Sequence, residues 1–309
     1  MKIQAEEMGI KGAAAAMEVI PIPETDQHKP VPDLRTRTFF IVDDALDEDV
    51  LRKALERLIC DHWRKLGARI VPRKVGFLEY HLPKVFPDNY ELFRWSSKGH
   101  AHSFDEFRSK MTPAAEQKGV EFLSSMHEID TWFRPSDWPF NRSADPPNSP
   151  ILYVHLSLFT DVTVIFVSIP HVVADQLGKA SIIRAWLGLV EGKQPPPMHG
   201  NNEDVLPGKT PFNQIPKDKA YRKGKIRVRR PLENFFVNLG LIPELIRHPK
   251  EEAHILFFPH FLTQSLRERC VKQLEEAHKG PVVLTDGDVL TAILTKASLI
   301  LWSRRDRDD

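Results

Sequence analysis

The sequence predicts an α/β fold in which a mixed sheet is flanked by helices, and three observations predict it. Short apolar runs of strand character alternate with segments whose apolar residues recur at helical spacing. Two of the strand-like runs, 151–159 and 163–169, are separated only by Thr160-Asp161-Val162, which reads as a β-hairpin and hence as antiparallel pairing. Proline makes up 25 of 309 residues, about 8% against a usual share near 5%, and its clusters punctuate the alternation.

Taken in order, Pro21, Pro23, Pro30 and Pro32 hold an extended N-terminal entry. Arg37 to Val42 reads as a short strand. Asp47-Glu48-Asp49 then supplies an acidic helix start, suited to the positive end of the helix dipole. Leu51, Leu55, Leu58 and Ile59 follow at helical spacing, with Gly67 as the stop. Prolines from 135 to 150 mark a long loop before the hairpin. After it, Ile182, Ile183, Trp186, Leu187, Leu189 and Val190 form the apolar face of a helix ending before Gly192. Pro195-Pro196-Pro197 opens a stretch with few apolar runs, extending to about Pro231. The far end repeats the scheme, with His254–Phe258 as strand, Ser265–Ala277 as helix and Val282–Leu284 as strand. Asp286 or Asp288 caps a last, very apolar helix reaching Trp302. No internal repeat is evident.

Composition excludes some function classes. With 43 Lys+Arg against 42 Asp+Glu the formal charge is +1, which argues against wholesale binding of nucleic acid or other polyanions. Cys60 and Cys270 do not make a disulfide framework and fit a reducing compartment. The greasiest stretch, Ile151 to Val173, contains His155, Asp161, Pro170 and His171 and does not read as a membrane span. No targeting segment is recognised near Met1, so a cytoplasmic protein with no membrane partner is expected.

The informative segment runs from Ser168 to Gly178. A buried-looking strand reaches Pro170, passes at once to His171, and meets Asp175 four residues on, where a helix begins. Strand-to-helix junctions present side chains to clefts, and histidine is the side chain matched to proton transfer near neutral pH. A lone histidine at such a junction is more often structural, and His-x3-Asp alone is a weak pattern.

The surroundings make it more specific. Leu158-Phe159-Thr160-Asp161-Val162-Thr163-Val164, then His171, Asp175 and Ala185-Trp186, resemble the central motif region of the BAHD family of acyl-CoA-dependent acyltransferases and its fungal relatives. Val19-Ile20-Pro21-Ile22-Pro23 and Gly67-Ala68-Arg69 resemble that family's first unit, and Thr285 to Ala292 is similar to the start of the second domain's first large helix. The family shares a chloramphenicol-acetyltransferase-like fold with peptide-synthetase condensation domains. The resemblance implies that His171 is the general base, taking a proton from an acceptor hydroxyl or amine as it attacks the thioester of an acyl-CoA. It assigns Asp175 a structural, motif-orienting role through an ion pair with an arginine. It also implies acyl-CoA as co-substrate, a small-molecule alcohol or amine as acceptor, no permanently bound cofactor and no metal. A truncated, non-catalytic relative that binds a ligand or partner is the alternative.

Two departures matter. Gln176 stands where the family has glycine after the motif aspartate, with Gly178 two places later. The family's Asp-Phe-Gly-Trp-Gly motif does not occur. The expected organisation is therefore an acyltransferase domain over 1–192, an interdomain linker over 193–231, and the start of an incomplete second acyltransferase domain over 232–309. Part of the last helix is then expected to be exposed as an apolar patch, and the chain to aggregate or need a partner and to turn over poorly.

Other constellations weigh less. Between Lys217 and Arg230 lie eight basic residues and Asp218, a local charge of +7, read first as a solvated linker and second as a contact for coenzyme A phosphates. Only Tyr221 interleaves an aromatic ring there, which disfavours nucleic acid. His100-Ala101-His102 lacks a third ligand of suitable spacing for a metal. There is no Gly-x-Ser-x-Gly, P-loop or Gly-x-Gly-x-x-Gly motif.

Overall fold

The computed structural model describes residues 16–27, 30–73, 77–111, 119–198, 231–247, 249, 253–278 and 280–305. The chain divides into two compact units, 1–104 with 130–251 and 105–129 with 252–309. The expected boundary near 192 is not where this division falls. The segment 105–129 joins the C-terminal residues because strand β6 (Glu121–Ser125) pairs antiparallel with β9 (His254–Phe257). Residues 231–247, expected to open the second domain, belong to the first unit.

The first unit is built on a four-stranded sheet of β2 (Arg35–Val42), β5 (Arg94–Gly99), β7 (Tyr153–Leu158) and β8 (Thr163–Pro170), in the order β2-β8-β7-β5. The hairpin read from the sequence is present: β7 and β8 pair antiparallel, from Tyr153 opposite Ser168 to Leu158 opposite Thr163. The polar strand β5 joins β7 in parallel, so the sheet is mixed as expected. A second sheet has the order β1-β4-β3, from β1 (Met17–Pro21), β3 (Arg69–Pro72) and β4 (Leu78–Pro83).

One face of the larger sheet carries helices α1 (Glu48–Arg57) and α4 (Gln176–Val190). Asp47 caps α1, accepting the Val50 amide at 3.1 Å, as the acidic start predicts. Past Arg57 the chain winds through a π-helical turn, Leu58–His62, and a 3₁₀ turn, Arg64–Gly67. Gly67 is the last residue of this run, and a Cβ there would lie 2.7 Å from the Phe86 ring. Leu51, Leu55 and Leu58 pack with Val154, Leu156, Ile165, Val167 and Ile169 of the sheet and with Ile182, Trp186 and Leu189 of α4. Trp186, 1% exposed, also donates its indole N–H to the Leu51 carbonyl at 2.8 Å. Alternation along the strands places Tyr153, His155, Phe166 and Ser168 on the opposite face, where Trp138 packs edge-on to Tyr153.

The second unit contains the β6–β9 ribbon with helices α2 (Asp105–Met111), α6 (His260–His278) and α7 (Asp286–Arg305); helix α3 (Met126–Phe133) straddles the division. The strand expected at Val282–Leu284 does not form. That segment is extended and irregular, and Val283 is 92% exposed, because no described strand edge pairs with it. Thr285 rather than Asp286 or Asp288 is the cap of α7. Its hydroxyl accepts the Asp288 amide at 3.2 Å and the Asp288 carboxylate accepts the Thr285 amide at 2.8 Å, a reciprocal capping box. On α7, Val289 is buried while Leu294, Leu299 and Ile300 are exposed. The remaining helix of the first unit, α5 (Pro231–Arg247), exposes Leu232, Phe235, Phe236, Leu245 and Ile246.

Candidate active site

Strand β8 is buried at all eight positions, so its end is fixed by the core rather than by the loop that follows. His171 is the first residue beyond it. Its amide donates to the Leu34 carbonyl at 2.7 Å, tying the junction to the entry into β2, and Val173 N–H closes a turn onto Pro170 at 3.0 Å. Tyr80, its hydroxyl kept protonated well above the ordinary range by burial, lies 3.4 Å from the Val172 carbonyl. The backbone around His171 is therefore held from three elements. The ring is half-buried, and its Nδ1 is enclosed without a hydrogen-bond partner among the described residues. That disposition differs from a structural histidine whose two nitrogens are both tied to main chain. Enclosed polar atoms are normally paired, so the unpaired Nδ1 sets His171 apart from its surroundings.

Asp175 is the N-cap of α4. Its carboxylate accepts the Gly178 amide at 2.7 Å. Space at Gly178 is tight: a Cβ there would sit 3.1 Å from that of Ala174 and 3.3 Å from the Asp175 carboxylate, so a neighbour would have to shift by a few tenths of an ångström. The expected partner arginine is not met: among the described residues the exposed carboxylate has no ion pair and its geometry is spent on the helix cap. What the structure shows for Asp175 is the helix cap, at the start of α4 four residues after His171. Gln176, the departure from the family pattern, is exposed as the first helical residue and meets no steric demand for glycine.

Sequence reasoning missed Lys179. It follows Asp175 by one turn and lies on the face of α4 that also carries Ile182 and Trp186, so its side chain is buried and its ammonium is pulled down to about 8 by loss of solvent. The i, i+3, i+7 spacing to Ile182 and Trp186 was the available signal. His155 was read only as a polar interruption of an apolar run. It is buried beside Ser96, with Nδ1 2.6 Å from the hydroxyl, and burial, with Lys98 and His100 nearby, drives it to about 4. His100 stacks on Phe159 at 4.2 Å with an interplanar angle of 7°, and His102 meets the same ring edge-on. This pair is thus engaged in ring packing. The basic run 217–230 lies outside the described residues.

At the same end of the sheet as His171, a cavity of about 580 Å³ opens between Pro170, strand β3 and the loop 142–151. The loop is anchored by Arg35, buried in β2. Its Nε lies 3.1 Å from Asp145, its terminal nitrogens reach the Ile151 carbonyl at 3.4 and 3.5 Å, and its guanidinium stacks 3.9 Å from the Tyr153 ring centre. Burial raises the Asp145 carboxyl and lowers the Arg35 guanidinium, each countered by the other's charge. Asn148 takes a left-handed conformation, φ 61°, which asparagine tolerates better than most side chains. Of the prolines that mark a loop in the sequence, Pro146, Pro147 and Pro150 line a wall of this cavity.

No family model matches the chain. It is 28% identical over 287 residues to acetyltransferase sphE of Aspergillus fumigatus, covering 84% of this chain and 54% of that protein. Over 290 residues it is 24% identical to transcriptional regulator calD of Penicillium decumbens, covering 91% of this chain and 57% of that one. Among solved structures, F. sporotrichioides TRI101 complexed with coenzyme A and T-2 superposes with a TM-score of 0.46 at 15% identity, over 63% of this chain and 46% of that one. The chain spans about half the length of the curated relatives it matches.

Proposed function

We propose that the chain is the part of an acyltransferase that carries the general base, transferring an acyl group from acyl-CoA to a hydroxyl or amine of a small molecule. His171 takes the acceptor's proton as the acceptor oxygen or nitrogen attacks the thioester carbonyl. The tetrahedral intermediate then collapses, the carbon–sulfur bond breaks, and the proton returns to the departing thiolate of coenzyme A. No covalent enzyme intermediate is required, since the thioester is already activated. Base catalysis of this kind is worth about 10²–10⁴-fold. Asp175 acts indirectly, by fixing the start of α4 and with it the turn that holds His171.

The observation that carries the reading is the junction itself: a fully buried strand delivering a half-buried histidine whose Nδ1 has no partner among the described residues. The similarity to acetyltransferase sphE supports it. The test is coenzyme A release from acetyl-CoA in the presence of alcohols and amines, with His171→Ala as the control that removes it. The second reading, a ligand- or partner-binding relative without turnover, is favoured by the similarity to transcriptional regulator calD. It predicts ligand binding that His171→Ala leaves unchanged, with no acceptor-dependent release of coenzyme A.

A further inference from the structure

The cavity beside Pro170 has the second sheet on one side and the loop 142–151 on the other. In that sheet Arg69 stands opposite His81 and Val71 opposite Glu79. Cross-strand partners share a face, so Val71 and His81 reach the cavity from the same side, while Leu78, Tyr80 and Leu82 belong to the core. The charges in the wall are already answered. Glu91 acts on Arg69, whose guanidinium is closed against the Gly67 and Glu91 carbonyls and the Tyr90 ring. Asp33 and Asp145 act on Arg142, and Asp145 is paired with Arg35. Ser143 and Ser149 spend their hydroxyls on Asp33 and on the Pro146 carbonyl. Much of the remaining lining is apolar and stiff, from Pro72, Pro146, Pro147, Pro150 and Pro170. Proline has no side-chain rotamers to lose on binding. The loop itself is pinned at Arg142, whose amide donates to the Asp33 carbonyl at 2.8 Å and whose Nε donates to the Pro32 carbonyl at 2.6 Å. His81 differs from these neighbours. Its Nε2 is held by the Glu79 carboxylate at 2.8 Å, and its Nδ1 has no hydrogen bond among the described residues. With the proton on Nε2, a neutral imidazole presents Nδ1 as an acceptor.

We infer that this cavity is a binding site for a neutral hydroxylated aromatic compound, its ring faces against the prolines and its O–H donated to Nδ1 of His81. The volume, about 580 Å³, is that of a small-molecule site. Proline C–H groups meet the electron-rich face of an aromatic ring, the complementarity that aromatic grooves use to recognise proline-rich segments. A rigid, pre-formed wall loses little freedom when a flat ring lies on it. A charged ligand would give up its water without gaining an unengaged partner, and a ligand without a donor would leave Nδ1 unpaired. His171 is not among the described residues lining the cavity, so the inference concerns binding alone and holds whether or not the chain transfers acyl groups.

Fluorescence anisotropy of 2-naphthol, 2-methoxynaphthalene and 2-naphthoate, titrated at pH 8 with the 309-residue chain, tests it. The three probes share their rings and differ in donor and charge. 2-Naphthol is expected to bind about three- to tenfold more tightly than 2-methoxynaphthalene, the scale of one neutral hydrogen bond, and 2-naphthoate more weakly than either. His81→Phe, which keeps an aromatic ring on the strand and removes Nδ1, is expected to bring 2-naphthol to the level of the methyl ether and leave the ether unchanged. Val71→Trp, which fills the cavity with a residue suited to a strand, is expected to abolish binding of both. The two variants are independent, so either one that keeps the circular dichroism of the parent chain decides the outcome. No binding of 2-naphthol at about 0.2 mM protein, 2-naphthol and its ether binding alike, or binding indifferent to His81→Phe or Val71→Trp would overturn the inference. Tighter binding of 2-naphthoate than of 2-naphthol would overturn the assignment of a neutral ligand.

Discussion

Strand β8 and the middle of helix α7 are both rich in apolar residues and have opposite fates. Every residue of β8 is buried, between helices α1 and α4 on one face and Trp138 and its neighbours on the other. Helix α7 buries Val289 and leaves Leu299 65% exposed. The difference lies in partners rather than in residues. Both neighbours of β8 in its sheet come from within the first unit, and their pairing removes its backbone and side chains from water together. A helix satisfies its own backbone and can form without being covered, so its apolar side chains report nothing about whether a partner is present. A rigid, fully enclosed element is the one suited to aim a catalytic group, and His171 sits at the end of β8.

That contrast can be broken by substitution, beginning where the effect is largest. Trp186→Ala removes the indole that packs beneath the sheet and its hydrogen bond to Leu51, and should cost about 3–5 kcal/mol by urea unfolding. A change below about 1 kcal/mol would mean that the enclosed face is not the core of the first unit.

Acid should expose the same region next. The folded state holds His155 at about 4 against an ordinary 6.5, so the unfolded chain takes up a proton first as the pH falls. Stability present above about pH 6.5 is therefore lost progressively toward pH 4, by at most about 3 kcal/mol. His155→Gln, which keeps a polar partner for Ser96 and removes the titration, should flatten this part of the pH profile of the urea midpoint. An unchanged slope would assign the acid sensitivity to other groups.

The cap at Asp175 sharpens the distinction between holding the site and acting in it. Asp175→Ala should destabilise by about 1 kcal/mol, whereas Asp175→Asn, which still accepts the Gly178 amide, should change stability by a few tenths and retain acyl transfer. Loss of all transfer in a normally folded Asp175→Asn chain would move the carboxylate into the chemistry. At the far end of the scale, Leu299→Ser should alter stability by less than about 0.5 kcal/mol and reduce self-association in size-exclusion chromatography. A larger loss of stability would show that α7 is covered in solution.

The legible parts of the fold were those written in local chemistry. The β7–β8 hairpin, the acidic cap of α1 and the apolar face of α4 each need only a few neighbouring residues to specify them. Strand β5 reads Arg-Trp-Ser-Ser-Lys-Gly, with no alternation, and exists because β7 offers it an edge from residues more than fifty positions away. The assignment of 105–129 to the second unit depends on β6 pairing with β9 across an even longer interval. Val282–Leu284 shows the converse, β-branched composition with no edge to pair. At the site, His171 was visible from its position after Pro170. The cavity wall was not, because Arg35 and Asp145 are brought together across 110 residues. The burial of Lys179 was hidden by a charge that composition places at the surface.

The central claim is that the end of β8 presents a base. Acceptor-dependent release of coenzyme A from acetyl-CoA, followed with a thiol reagent for the wild-type chain and for His171→Ala, tests it most directly. Release that depends on an alcohol or amine, however slow in absolute terms, and that falls at least about a hundredfold in His171→Ala with folding unchanged, is the predicted result. Equal release by both proteins would take His171 out of the mechanism, and no acceptor-dependent release by the wild-type chain would contradict the catalytic reading in favour of a binding protein.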